Sequence, residues 1–357
     1  MALRTPLILN QTSGRIEELM APDTLEGLIG RNRLINGSMR WWQRGTSFTS
    51  PGYSADRWYF NAGGVSSPSL SRNPITPGSF DTECIYFAKI AYGAITDAAN
   101  HYVVMEQRME NVTTLAGRTV TVSFKVFNSG SAGRQIAVEL AQRFGAGGSA
   151  QVSGIGAAKY SLAPGLNTIT HTAQIPSISG KTVGGNSCLV LTLWATGGSN
   201  FNARNASLGS QSGDVHFTQV QLEEGASAST FDYRHDGLEL QLCQRFYEKS
   251  YNASGFPGSV TTTAGSSGSS IHTEFLLTAP LTQFLVEKRD APAVALYAPQ
   301  NGGAGQYSEY DAGSSFVANR ACVATNASNR NFEMVINSGS GVVGNTARFH
   351  WTADAEL

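Results

Sequence analysis

Charge is scarce in this chain: 14% of its 357 residues are Asp, Glu, Lys or Arg, against about a quarter in an ordinary globular protein. The formal net charge is -1, and no run of Lys or Arg concentrates positive charge locally, so nothing is present to hold a polyphosphate backbone and no nucleic acid partner is expected. Long apolar runs are also missing. The first residues, "MALRTPLILNQTSGRIEELM", lack the apolar core of a secretory signal, and no later stretch has the length of a membrane span, so no membrane insertion is expected and the chain reads as made and kept in a cytoplasm. Cysteine is rare: Cys84, Cys188, Cys243 and Cys322 stand far apart, with no C-x-x-C pair and no His at ligand spacing. That excludes a recognisable metal site and predicts buried free thiols.

Catalytic signatures are absent as well. There is no G-x-x-x-x-G-K-[ST], H-E-x-x-H or G-x-S-x-G. "GSGVVG" at Gly339 to Gly344 fits G-x-G-x-x-G, but the strand pattern "NTARFHW" follows it and the chain ends before an acidic residue could hold a ribose; it reads as a hairpin loop. The six histidines are scattered singly, so no triad, no metal and no cofactor is expected. A carboxylate pair of the glycosidase kind needs only two Asp or Glu brought together by the fold. Asp81 with Glu83, or Glu106 with Glu110, would satisfy that, although solvated strand-edge carboxylates are the commoner outcome.

What is abundant is Gly, at 39 residues, together with Ser, Thr and Asn; this favours strands joined by many turns and predicts an all-β protein. "TVTVSFKVFN" alternates Val120, Val122, Phe124 and Val126 with polar residues, the period of a half-buried strand. "RQIAVELAQRF" directs Ile136, Val138 and Leu140 inward, and the turn "NSGSAG" between the two predicts a hairpin. "CLVLTLWAT" and "DVHFTQVQLEEG" continue the set. In the latter the apolar parity changes between Phe217 and Val220, which predicts a bulge near Thr218. Turn-rich clusters at sandwich spacing point to a two-sheet jelly roll over residues 31–230.

Before it, residues 1–30 carry too many apolar side chains, among them Leu7, Leu9, Leu25, Leu28 and Ile29, for an idle tail, and read as an extended N-terminal arm. Ile16, Leu19 and Met20 could share one face of a short helix after Ser13. After the jelly roll, Leu238, Leu242 and Phe246 recur at helical spacing, which predicts a helix over Gly237 to Tyr247 within a helix-and-linker segment, residues 231–260. Residues 261–357 return to strand patterns: "IHTEFLLTAPL", "TQFLVEKR", "APAVALYAP", "RNFEMVIN" and "ARFHWTADAEL". They predict a second, smaller β-sandwich.

The concentration of aromatics in "NRLINGSMRWWQRGTSFTSPGYSADRWYF" is the main functional signal. Sugar rings present apolar C–H faces, so proteins bind them with flat aromatic rings flanked by hydrogen-bonding side chains. The candidate carbohydrate-binding residues are Trp41, Trp42, Trp58 and Tyr59, with Trp194 on a later strand. If "RWWQ" and "DRWYF" are strands, each adjacent pair sends one ring inward and one outward.

"LINGSM" followed by "WQRGTSF" and "YSADRWYF" resembles the opening of galactose-binding-like jelly rolls, found in carbohydrate-binding modules and in bacteriophage tail fibre and receptor-binding proteins. "FTQVQLEEGASASTFDYRHDGLELQLCQRFYE" resembles the closing strand and short helix of that phage family. "FHWTADAEL" is similar to its C-terminus, and "MALRTPLILNQTSGRIEEL" to virion-attachment arms. The resemblance implies a structural virion protein of the tail, assembled in the host cytoplasm as a homotrimer. It would attach through the arm to other tail or baseplate proteins and bind host polysaccharide or lipopolysaccharide without a cofactor. A polysaccharide-degrading tail enzyme and a capsid decoration fibre are the alternatives. A close carboxylate pair in an aromatic groove would mark the first, and lack of any exposed aromatic groove the second.

Overall fold

The alternation in "TVTVSFKVFN" becomes the strand Thr119–Asn128, with Val120, Val122, Phe124 and Val126 sealed in the interior. The computed structural model of the chain describes residues 7–10, 15–18, 30–79, 83–261, 264–271, 281–336 and 341–357. Between residues 47 and 224 two antiparallel sheets of six strands face each other. The front sheet runs Val152–Ser161, Gln135–Arg143, Cys188–Gly197, Tyr102–Glu110, Trp58–Gly63, Gly52–Tyr53. The back sheet runs Gly165–Gln174, Thr119–Asn128, Val215–Glu224, Tyr86–Ala91, Ser69–Pro74, Ser47–Phe48. One apolar cluster fills the space between them, including Trp58, Phe60, Met105, Phe124, Leu191, Leu193 and Phe217.

Thr119–Asn128 and Gln135–Arg143 are not hairpin partners, contrary to the expectation from their turn. The first bonds to Gly165–Gln174 and Val215–Glu224 in the back sheet, the second to Val152–Ser161 and Cys188–Gly197 in the front sheet. "NSGSAG" therefore carries the chain across the sandwich. Each strand offers one apolar face, and placing the two in opposed sheets buries both faces against each other. Alternation specifies a buried face and leaves the neighbour open.

The bulge is where the parity change puts it. The register between Val215–Glu224 and Thr119–Asn128 shifts between Thr218 and Gln221, and Gln219 adopts a φ of 50°. This turns Val220 inward and frees its backbone for the incoming segment: Val220 N–H donates to Gly37 O at 2.9 Å, and Asn32 Nδ2 donates to Val220 O at 3.0 Å. A Cβ on Gly37 would lie 2.1 Å from Val220 O, so only glycine permits this approach.

Two helical expectations change. Arg15–Glu18 is a strand paired antiparallel with Leu7–Asn10; a segment this short gains too few helical hydrogen bonds to offset nucleation. Leu19, Met20, Leu25, Leu28 and Ile29 lie outside the described residues. The later helix does form, over Asp236–Gln244, with His235 Nδ1 accepting from Gly237 N–H at its start. Its buried residues are Glu239 and Cys243, while Leu238 is 44% exposed. Glu239 turns inward because Arg234 and the Asn36 N–H meet its carboxylate, so polar contacts set the helix's orientation where a leucine stripe was expected.

The remaining strands gather around Thr346–Asp354, which pairs with Tyr247–Lys249, Ser267–Ser270, Ala293–Tyr297 and Gln306–Tyr310. A second core containing Leu296, Tyr307, Phe332, Phe349 and Trp351 lies against this sheet. "TQFLVEKR" is strand only at Thr282–Gln283. Beyond it Leu285 is exposed and Lys288 is buried on Glu248, so the ion pair displaces the apolar alternation. "IHTEFLLTAPL" lies almost wholly outside the described residues. The "GSGVVG" segment, from Gly341 onward, is a loop leading into the final strand. All four cysteines are buried and free.

Candidate functional site

The front sheet's outer face is where sequence and pairing combine. In Trp58–Gly63, Tyr102–Glu110 and Cys188–Gly197 the core takes Trp58, Phe60, Val103, Met105, Leu191 and Leu193, so by period two the alternate residues point away from it. Register then lines these up in rows. Tyr59 stands opposite Glu106, Glu106 opposite Thr192, and Thr192 opposite Glu139; one step along, Asn61, Val104, Trp194 and Ala137 form the next row.

Over these rows runs a groove of about 290 Å³, with Tyr59, Asn61, Tyr102, Thr192 and Trp194 among its lining. At one end the turn Ser199–Phe201 and the short helix Asn202–Asn205 bring Phe201 and Arg204 over Trp194, with ring centroids 5.5 Å apart and the guanidinium 5.1 Å above the indole. Tyr102 meets Phe201 edge to face at 5.4 Å. At the other end Leu357 packs over Ala141, Cys188 and Val190.

Electrostatics give the floor its rigidity. Glu106 accepts from Arg108 at 2.7 Å and from Arg143 at 3.0 Å. Burial works to raise its pKa, but the two guanidiniums outweigh it and hold the carboxyl below its ordinary range. Glu139 is wholly buried, bonded to Arg204 and to Gly154 N–H, and there burial dominates and raises its pKa. Arg108 also lies 4.5 Å from the Tyr59 ring.

Two polar atoms in the floor have no partner. Thr192 is 1% exposed and Trp194 2% exposed, yet neither Thr192 Oγ1 nor Trp194 Nε1 makes a hydrogen bond in the structure. A buried polar group left this way costs about 1–3 kcal/mol. Both residues are among those that line the groove.

The structure thus brings together Tyr59 and Trp194 and separates the other aromatic candidates. Trp58 is a correction: its ring is fully buried and its indole N–H donates to Asn36 O at 3.0 Å, so it faces the core and no ligand reaches it. Trp41 and Trp42 line a different cleft, beside the helix. They do not lie on a strand, because Asn36 and Asp56 hold the surrounding backbone in a loop, but Trp42 is buried and Trp41 half-buried all the same. Of the carboxylates, Glu110 is engaged by Arg245 at 2.9 Å and Asp81 lies outside the described residues. Among the described residues no group of His, Cys, Asp and Glu is arranged to hold a metal ion. Tyr102, Thr192, Arg143 and Arg204 were not visible as site residues in the sequence; the signal available was that Thr192 and Trp194 alternate with Leu191 and Leu193.

No protein-family model matches the sequence, and no curated protein sequence matches it. Solved structures superpose on about half of it. The bacteriophage CBA120 tailspike protein 4 enzymatically active domain is 12% identical over 55% of this chain, at a TM-score of 0.34; the match spans 22% of the tailspike domain's length. The CBM22-2 xylan-binding domain from Paenibacillus barcinonensis Xyn10C is 16% identical over 50% of this chain and 99% of its own, at 0.30. A family 11 carbohydrate-binding module from Clostridium thermocellum, in complex with a mixed-linked tetrasaccharide, is 15% identical over 48% of this chain and 91% of its own, at 0.29.

Proposed function

We propose that the outer-face groove binds saccharide, and that the chain is a phage tail fibre or receptor-binding protein that attaches to host surface glycan through it. The observation that carries the reading is the pair of buried, unpartnered donors, Thr192 Oγ1 and Trp194 Nε1, beneath a groove with aromatic sides. A pyranose supplies what that floor lacks: an apolar face for Tyr59 and Tyr102, and ring hydroxyls for the two orphaned groups and for Asn61. The virion role, the homotrimer and the attachment arm rest on the sequence resemblance. The presence of the groove speaks against a fibre that only assembles.

The enzymatic alternative has one observation in its favour. Glu106 and Glu139 flank Thr192, and their surroundings push their pKa values in opposite directions, as an acid–base pair requires. Against it, arginines engage both carboxylates and Glu139 has no exposed surface, so binding is the better reading. A glycan array that includes host lipopolysaccharide and capsule tests it. Wild-type protein should retain a ligand without releasing shorter products, and Tyr102→Ala should lose retention while staying folded. Released oligosaccharide that disappears in Glu106→Gln would sink the binding-only reading. Light scattering that finds a monomer at micromolar concentration would sink the trimer.

A further inference from the structure

The cleft beside Trp41 belongs to neither the sheet-face groove nor the cores. It measures about 480 Å³, within the ordinary range for a small-ligand pocket, and lies between the loop carrying Trp41 and Trp42, the strands carrying Arg72 and Tyr86, and the segment from the helix to Phe256.

Its charge is one-sided. No Asp or Glu lines it, whereas Arg40, Arg72 and Lys249 do. Arg40 is neutralised by Asp236 at 2.7 Å. Arg72 has no carboxylate partner among the described residues; its guanidinium lies 4.5 Å from the Tyr86 ring centre. Lys249 is 8% exposed, and its ammonium donates to two backbone carbonyls, Ala253 O and Gly255 O, and to no carboxylate. An ammonium has three donors, so one remains. Burial holds the lysine pKa down to about 8, although the buried Asp56 carboxylate, which does not line the cleft, acts in the opposite direction. Between these cations the walls are aromatic, and the Trp41 Nε1 donor is buried without a partner.

We propose that this cleft is a second, separate ligand site that takes a carboxylate-bearing sugar, a hexuronate or nonulosonate residue. The carboxylate meets Arg72 and Lys249, the ring's C–H face lies against Trp41 or Tyr86, and a hydroxyl accepts from the Trp41 indole N–H. A bare inorganic anion would satisfy the cations and leave the aromatic walls and the indole uncovered. A neutral sugar would do the reverse. The site stands independently of the sheet-face groove, because the two share no lining residue.

Isothermal titration of the full chain with galacturonate trisaccharide, glucuronate trisaccharide and N-acetylneuraminate tests this, with the carboxyl-reduced form of each and inorganic phosphate as controls. At least one acid should bind, and its carboxyl-reduced form should bind ten-fold or more weakly. Arg72→Gln and Lys249→Gln should each weaken the acid ten-fold or more, with thermal melts reporting folding. Tyr102→Ala and Thr192→Val should leave acid binding unchanged and impair only the sheet-face groove. The proposal is overturned if no acid binds at millimolar concentration, if the reduced form binds equally, if phosphate alone competes as well as the sugar, or if Tyr102→Ala removes acid binding while Arg72→Gln does not.

Discussion

Trp58 and Trp194 are almost equally hidden, at 0% and 2% exposure, and they belong to opposite faces of the same sheet. Burial alone would class both as core. Their indole N–H groups separate them: that of Trp58 donates to Asn36 O, and that of Trp194 donates to nothing. A buried donor is as a rule completed within the protein, and the Trp58 position follows that rule. The Trp194 position departs from that rule beside the groove its residue lines, and the proposed saccharide site turns on this contrast.

The widest separation should come from the tryptophans themselves. Trp58→Ala should lower unfolding free energy by about 3–5 kcal/mol, the range for truncating a buried aromatic, and saccharide affinity should fall only in proportion to unfolded protein. Trp194→Phe keeps most of the ring and removes the unpartnered donor, so stability should change by less than about 1 kcal/mol while affinity drops about ten-fold. Urea denaturation with calorimetric titration reads both, and equal destabilisation by the two variants would erase the distinction.

Glu106 is the next lever, because it anchors two arginines from beneath the groove. Glu106→Gln should cost about 2 kcal/mol, less than breaking a fully buried pair because both arginines reach solvent, and should weaken binding by loosening the floor. Its carboxyl is held below the ordinary range, so its contribution is complete above the unfolded pKa, near 4.5, and is lost as pH falls through the lower folded value. Denaturation midpoints measured across that window check the sign.

A smaller effect should come from the back sheet, where a polar ring is also partly unpartnered but lies packed between Phe87 and Phe127. His216 Nδ1 meets Asn73 at 3.3 Å and Nε2 has no partner. Burial first, and Lys89 second, bring its pKa down to about 4. The unfolded chain therefore binds a proton that the folded chain refuses, so stability is complete above about pH 6.5 and declines as pH falls toward 4. His216→Gln should flatten that slope and leave saccharide binding untouched; an effect on binding would deny the contrast between a packed orphan and an open one.

The smallest change sharpens the comparison most. Thr192→Val preserves shape and deletes an unpartnered hydroxyl, so stability should rise by up to about 1 kcal/mol while affinity falls. A loss of both would mean that the hydroxyl already has a partner in solution.

Much of this was readable residue by residue. The buried face of Thr119–Asn128, the bulge at Thr218 and the free thiols followed from apolar parity and cysteine spacing. Tyr59 and Trp194 were two of five aromatic candidates, and which ring of the Trp58 and Tyr59 pair faces outward was left open. The failures share a cause. Gln135–Arg143 was assigned the wrong partner, Leu238 was counted in the helix's apolar stripe and Trp58 was kept as a ligand candidate beside Tyr59, each because a local pattern was met by a distant group: Cys188–Gly197, Arg234 and Asn36 respectively.

Backbone alternation is a property of a few consecutive residues, set by the two-residue period and by steric limits on φ and ψ, and where no distant polar partner intervened, as in Thr119–Asn128, the sequence by itself determined which face is buried. Which strands became neighbours was decided only in the folded chain, because every strand edge offers the same ladder of N–H and C=O groups and the choice falls to the packing of faces far apart in sequence. The groove is a product of that choice. Tyr59, Glu106, Thr192 and Glu139 form one row through three registers. No spacing along the chain encodes the row, and its chemistry existed only once the sheet had formed.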